Sequence, residues 1–583
     1  MCAFVAPVQA QWITQSLDLK AGWNAVYLHV DASHETLDTL VGADQANPIQ
    51  EIWMWQPAPA TAQFVVSPQL PTSTGSQWVS WVRTLGPTSA LRQVVGNTAY
   101  LVRVSANTPT YRWNLKGKPV PFRFLWSSTG LNLLGFPTPA GAPPLFENFL
   151  TPAPSLQLAA EIYNYLGGDL SASNPARLLT LRTYPVRRGE AFWMRSGSTF
   201  NRYFGPFEIE QSNPSGIQFR DRLSQARFRL RNLTTSNLTV SMKLLASEAA
   251  PAGQAPVAGT PPMLLRGELN ITNLTHGFTT LVENTQTNTF ALTPAGQPGS
   301  EVEVIVGLNR SLMTAAPGGI YAGILRFTDS FSLSERDMPV SAQVASNAGL
   351  WIGSADVSQV RSYLKSFQKG ANGVPVIGTN NAYVVSGVDT NMGPVARSFP
   401  LRLIVHTDNT NSYLPQRVYY GFSPATNLVN ATSEALLDPR QLESARRISA
   451  VHLPFTPTNM VWKFDGEMRD GTNLTATVRL AHDEHASNPF LHTYHPDHDN
   501  LNALFTQSLA SGFESYTVTR VIRLDFTPPA SDFNSITLSG EAFFGVYNET
   551  VTFGAKGTDA RSFDTQGLFT IHRINSVGAL TTQ

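Results

Sequence analysis

Tyr516 to Asp525 reads YTVTRVIRLD. β-Branched and apolar residues alternate there with polar ones, the period-two pattern of a strand with one buried face. The pattern recurs at Ala226–Leu230 (ARFRL), Leu238–Met242 (LTVSM) and Glu301–Val306 (EVEVIV). Clusters of Pro, Gly, Asn and Ser separate these runs, and short strands punctuated in this way predict sandwiches or barrels. Helical signals are few. Asp438-Pro439 ahead of RQLESARRI supplies an N-cap and a proline at the first helical position, and Ser33 to Val41 is a second candidate. The expected fold is all-β with few short helices.

Composition narrows the function classes. The 583 residues include 41 basic and 41 acidic side chains, a formal net charge of zero. Charged residues are 14% of the chain, against about 25% in an ordinary soluble protein. A disordered tail needs high charge and few aromatics, and a nucleic-acid binder needs a basic surplus, so neither class fits. Cys2 is the single cysteine, which excludes an intramolecular disulfide and a thiolate metal site. No run approaches 18 uninterrupted apolar residues, so no transmembrane helix is expected. Residues 1–11 read MCAFVAPVQAQ, with Val8-Gln9-Ala10 placing small residues where signal peptidase accepts them. We read a truncated signal-peptide remnant and an extracellular or cell-surface destination, with the periplasm as a further compartment. The rival reading is a plain N-terminal strand.

The N-terminal third carries an internal duplication. Gly22-Trp23-Asn24-Ala25-Val26 matches Gly130-Leu131-Asn132-Leu133-Leu134, and Leu37-Asp38-Thr39-Leu40 matches Phe146-Glu147-Asn148-Phe149. Glu51-Ile52-Trp53-Met54-Trp55 matches Glu161-Ile162-Tyr163-Asn164-Tyr165, and Ala99-Tyr100-Leu101-Val102-Arg103 matches Ala191-Phe192-Trp193-Met194-Arg195. Matched blocks in one order imply two copies of a small β-rich unit packed together. The expected domains are β-rich repeat 1 at 12–120, repeat 2 at 121–212, a sandwich at 213–346 and a larger β-sandwich or barrel at 347–583.

The "GWN" opening, the middle strand with paired aromatics and the glycine-led aromatic strand resemble modules of uncharacterised secreted multi-domain bacterial proteins. Repeat 2 has Leu131 where that module has its Trp. The run Gly319-Ile320-Tyr321-Ala322-Gly323-Ile324-Leu325, followed by Pro339-Val340-Ser341-Ala342, resembles bacterial immunoglobulin-like sandwiches. The Pro/Ala/Gly-rich Ala249–Pro262 is expected as an extended loop within that domain. The C-terminal region resembles its secreted counterparts at FPLRLIVH (399–406) and NPFLHTYHPDHDN (488–500). These resemblances imply secretion and β structure and supply no activity.

Two groups of residues stand out chemically. His482, His485, His492, His495 and His498 place five of the 11 histidines in one stretch. His492, His495 and His498, with Asp497 and Asp499, are donors that zinc or calcium would take. Three readings stay open for this loop: a self-bonded polar loop, a structural metal site, or a catalytic centre. No HExxH, GxSxG or phosphate-loop motif accompanies it. Trp53 and Trp55, two apart on a strand, point to one face, with Trp78 and Trp81 nearby. They either form a sugar-stacking platform or fill the repeat cores. The expected function is an exported non-enzymatic β protein for adhesion, surface assembly or glycan binding, its partner a glycan or a cell-surface protein. The alternative is a secreted metal-dependent hydrolase centred on the 482–500 loop.

Overall fold

The structure is a computed structural model. It describes residues 11–578 except 76, 124–128, 172, 197–202, 373, 375, 380–383, 409–411, 414–417, 423–427, 432–446, 452–462, 481–505, 507–516, 529–530, 538–540 and 555–560. Strands dominate the described residues, and each described helix is short. The all-β expectation holds. Two compact units are present, one from Met1–Val344 with Asp532–Thr537, the other from Ala345–Ser531 with Leu538–Gln583.

In the first unit the matched sequence blocks form matched strands. One sheet runs in the order Gly22–Leu28, Thr98–Val104, Ile49–Trp55, Trp78–Val82, and a second in the order Asn132–Leu134, Phe192–Arg195, Glu161–Asn164, Ala176–Arg177. The registers agree as well. Asn24 pairs Val102 and Ile52 pairs Val102 in the first sheet; Asn132 pairs Met194 and Ile162 pairs Met194 in the second. The ion pair Glu51–Arg103, at 2.7 Å, has its equivalent in Glu161–Arg195, also at 2.7 Å. Asn24 and Asn132 each donate an amide hydrogen to the carbonyl two residues earlier, Gly22 and Gly130.

Alternation explains where the rings go. Every residue of Gly22–Leu28 is buried, because both faces of the strand are covered. Val26 and Leu28 enter the core of repeat 1, with Tyr100, Val102, Leu17, Leu19 and Trp113, the last three from the ladder of Ile13–Lys20 and Thr110–Pro119. Trp23, Ala25 and Tyr27 face the other way and meet Leu131, Leu133, Tyr165 and Trp193 of repeat 2. Phe192 and Met194 then turn back into the core of repeat 2. An aromatic layer is therefore shared between the copies.

Hydrogen bonds cross this layer reciprocally. Trp23 N donates to Gly168 O, and its counterpart Leu131 N donates to Val65 O, each acceptor lying in the loop after the other copy's middle strand. The glycine before each donor has a physical cause. A Cβ on Gly22 would overlap the Gly168 backbone, and one on Gly130 would overlap the carbonyl of Ala62. Gly22 also sits at φ 81°, the left-handed region that glycine tolerates.

Residues after Pro206 build two facing sheets. One orders Phe207–Gln211, Gln225–Asn232, Glu301–Leu308, Met263–Asn270, Thr275–Thr280; the other orders Ile217–Arg220, Glu335–Gln343, Ile320–Asp329, Leu238–Ala246, Thr287–Leu292. Ile217–Arg220 runs parallel to the last strand of the domain, Glu335–Gln343, while its neighbour in sequence joins the opposite sheet. Phe228, Leu230, Val240, Met242, Val306, Leu325 and Phe327 fill the space between. Within the Ala249–Pro262 insert, Val257–Gly259 forms a short strand beside Ile320–Asp329.

The second unit is an eight-stranded ring closed through Arg561–Arg573 and Gly349–Phe367. The alternating TVTRVIRLD run lies in its strand Thr517–Phe526, with Ile522 and Leu524 pointing inward among Trp351, Leu403, Phe543 and Phe569. The alternation of Ile536–Ile574 alone would allow three or four short antiparallel strands. The segment holds two long ones, Ala542–Gly554 and Arg561–Arg573, since Gly545 and Gly567 lie inside strands where neighbouring backbone leaves no room for a Cβ. The Ser33–Val41 helix is reduced to one turn at Asp38–Gly42. The 438–448 helix falls mostly outside the described residues.

Candidate functional site

A cleft of about 640 Å³ opens in the first unit, bordered by Ile13–Lys20, the second repeat and the sandwich strand Glu335–Gln343. That volume lies within the roughly 300–1,000 Å³ of small-ligand sites. Its polar lining includes His29, Asn164, Tyr184, Arg187, Arg188 and Glu190.

Each of these is positioned by the local fold. Gly189 takes φ 88°, at the place where repeat 1 has Asn97 at φ 57°, so both chains turn into their last aromatic strand in the same way. Glu190 follows, bridged by backbone pairing to Val26. Burial pushes the Glu190 carboxyl above the usual carboxylate range, against the pull of Arg187 and Lys20. The Arg187 guanidinium stands 3.6 Å away. Burial also raises the Tyr184 hydroxyl, helped by the Glu190 charge. Asn164, on strand Glu161–Asn164, is 2% exposed. Asn164 Oδ1 and Glu190 Oε2 are buried, and Tyr184 interacts by hydrogen bonding with both side chains, as Arg187 does with Glu190.

The other wall is held by charge pairing. Arg188 donates to Asp337 Oδ2 at 3.0 Å and to the Glu335 carbonyl at 2.7 Å. Arg326 grips the same carboxylate through Nε at 2.8 Å and Nη2 at 3.1 Å. Two guanidiniums on one buried carboxylate fasten repeat 2 to the sandwich. His29 is buried, and burial, then the Arg188 charge, lowers its pKa well below the ordinary value, with a hydrogen bond to the Phe136 backbone pulling the other way.

A second polar cluster lies inside the barrel. Glu549 accepts from Arg520 Nε and from the Tyr547 hydroxyl, and all three are fully buried or nearly so. Burial and the Glu549 charge raise Tyr547 far above its ordinary range. This cluster satisfies charge within an otherwise apolar interior.

The four candidate tryptophans lie in the cores or pack against them. Trp53 and Trp55 do share a face, and both belong to the layer between the repeats. Trp53 is 8% and Trp78 7% exposed, and their rings meet edge to face at 6.5 Å. Trp55 packs against Trp193 of the other copy at 4.7 Å. Trp81 turns to the opposite face, into the core of repeat 1, with Nε1 donating to Asp38. Rings in these positions support the core-filling reading. The candidate metal donors His492, His495, His498, Asp497 and Asp499 lie outside the described residues. Among the described residues no three His, Cys, Asp or Glu side chains gather into a metal-holding group. No helix among them is long and apolar enough to cross a membrane.

The cleft residues escaped the sequence reading, yet a signal existed. Where repeat 1 has Val95-Gly96-Asn97-Thr98, repeat 2 has Arg187-Arg188-Gly189-Glu190; where repeat 1 has Met54, repeat 2 has Asn164. Polar substitutions confined to one copy mark the face that lines the cleft.

No protein-family model matches the chain, and no curated protein matches it in sequence. A solved structure from Bacteroides ovatus, of unknown function, aligns over 64% of this chain and 96% of its own at 11% identity, with a TM-score of 0.12. A Salmonella alpha-2-macroglobulin mutant aligns over 95% of this chain and 57% of its own at 9% identity, with a TM-score of 0.12. Likenesses of that size carry no functional argument.

Proposed function

We propose that this chain is an exported, non-enzymatic β protein that serves cell-surface adhesion, assembly or glycan binding. The observation that carries this reading is the repetition of one four-stranded module. Two copies match strand for strand and bury a common aromatic layer. A sandwich of the immunoglobulin-like kind follows. Such modules hold a binding surface in a fixed shape without needing a moving part. The Val8-Gln9-Ala10 sequence supports export.

The test is fractionation of cells producing the native chain, followed by binding of the purified full chain to a glycan array and to intact cells. Recovery from the medium or the cell surface, with saturable binding in either format, supports the reading. Cytoplasmic retention refutes export. Hydrolytic turnover lost on substituting His495 or His498 refutes the non-enzymatic assignment and favours a metal-dependent hydrolase.

A further inference from the structure

We infer that the cleft of the first unit takes up an extended peptide, which adds as a strand along the open edge of Ile13–Lys20 and sets an acidic side chain beside Lys20. The inference goes beyond the proposal above, since recognition of a backbone requires neither export nor a glycan.

An antiparallel strand bonds its partner through every second residue and turns the N–H and C=O of the residues between to its other side. In Ile13–Lys20 the odd-numbered residues serve the ladder with Thr110–Pro119, because the even-numbered ones bond elsewhere. Just ahead of the strand, Trp12 N donates to Ser247 Oγ and Trp12 O accepts from Glu248 N, each at 2.8 Å. Thr14 N donates to the Glu248 carboxylate at 2.9 Å. At the far end Lys20 N donates to Asn24 Oδ1 at 2.9 Å, and Lys20 O accepts from Asn24 Nδ2 at 2.8 Å. Between these stops lie the Thr14 carbonyl and the N–H and C=O of Ser16 and Asp18. By alternation they point the same way, and no group among the described residues bonds them. Thr14 to Asp18 spans about 13 Å, at roughly 3.3 Å per residue. Ser16 and Asp18 are exposed, and every residue of the strand lines the cleft of about 640 Å³.

Two features select a peptide. A row of donors and acceptors at strand spacing is the complement of another extended backbone. The pairing is also already begun, since Ser247 and Glu248 of the sandwich hold the first rungs of this edge as an added strand would. A peptide continues it from Thr14 towards Lys20. Charge then chooses one side chain. Arg112 stands 3.5 Å from Asp18, Arg187 3.6 Å from Glu190, Arg188 3.0 Å from Asp337 and Arg326 3.4 Å from Glu335. Lys20 reaches Glu190 only through its field and forms no ion pair among the described residues. The four carboxylates are matched, and the remaining ammonium group favours an acidic residue at that end of the peptide.

The experiment screens the full chain against a bead library of random hexapeptides and titrates the best-retained one by fluorescence anisotropy. The variant is Ser16→Pro, which removes the outward N–H and leaves the ladder with Thr110–Pro119 intact, as proline does on an edge strand. The expected result is a retained peptide containing Asp or Glu, bound about tenfold or more weakly by Ser16→Pro at an unchanged melting profile. Replacing its acidic residue by Lys should weaken binding about threefold or more, and the Lys20→Glu chain should reverse that preference. Where Ser16→Pro fails to fold, N-methylation of the peptide at successive residues is read on the wild-type chain, with losses expected at alternate positions. Equal binding by Ser16→Pro, or N-methylation without effect, overturns strand addition at this edge. A best peptide without an acidic residue overturns the role of Lys20. No retained hexapeptide overturns the inference and leaves export, adhesion and glycan binding standing.

Discussion

Replacing Trp193 by alanine tests whether the two repeats bury each other. The indole is fully buried in the strand Phe192–Arg195. Its ring meets Trp55 of the other copy edge to face at 4.7 Å and 69°, and Nε1 donates to the Tyr165 hydroxyl at 3.0 Å. Truncating a ring of this size in a closed core costs about 3–5 kcal/mol. Part of that is separable. Trp193→Phe keeps a ring, removes the donor, and should cost about 1–3 kcal/mol through the stranded Tyr165 hydroxyl. A double-mutant cycle with Trp55→Ala should return a coupling of about 0.5–1.5 kcal/mol, the value of a packed aromatic pair. Urea denaturation of the full chain, followed by far-UV circular dichroism, reads all three. A Trp193→Ala cost below about 1 kcal/mol, in the range of surface substitutions, would refute the shared aromatic layer.

Other outcomes follow from the same geometry. Gly130→Ala should destabilise the first unit by more than about 2 kcal/mol, because its Cβ would overlap the Ala62 carbonyl. Gly168→Ala has open space and a φ of 70°, and should cost only about 1–2 kcal/mol for the left-handed backbone; thermal melting compares the pair. Arg188→Met should destabilise by about 1–3 kcal/mol, since Asp337 keeps Arg326 but loses its bond to repeat 2; denaturant titration measures it. His29 is held neutral in the fold with a pKa below its ordinary 6.5. Its contribution is therefore present above pH 6.5 and lost as the pH falls below that value, because the unfolded chain takes up a proton that the fold refuses. A stability–pH profile of His29→Gln should be flatter than the wild type below pH 6.5.

How much of this the sequence disclosed depended on how far apart the deciding residues lie. Alternation within Thr517–Phe526 is local, so its inward Ile522 and Leu524 and the β class were readable directly. The pairing of Trp53 with Trp55 on one face was readable for the same reason. What covers that face was not, because a strand buried on both sides and a strand with an exposed aromatic row share one pattern. The answer lay in Leu133 and Trp193, more than a hundred residues downstream of Gly22–Leu28. The cleft is less local still. His29, Asn164, Glu190 and Asp337 converge from four strands or their ends, and none belongs to a motif.

The reciprocal bonds of Trp23 and Leu131 have a consequence for ancestry. Equivalent residues contacting equivalent loops in exchanged order are the mark of an isologous homodimer. The two repeats keep that arrangement with their subunits joined end to end in one chain. A single repeat produced alone would carry its aromatic face into water and should recover cover by pairing with a second molecule of itself. The halves are not identical: one copy carries Met54 and Thr98 where the other carries Asn164 and Glu190.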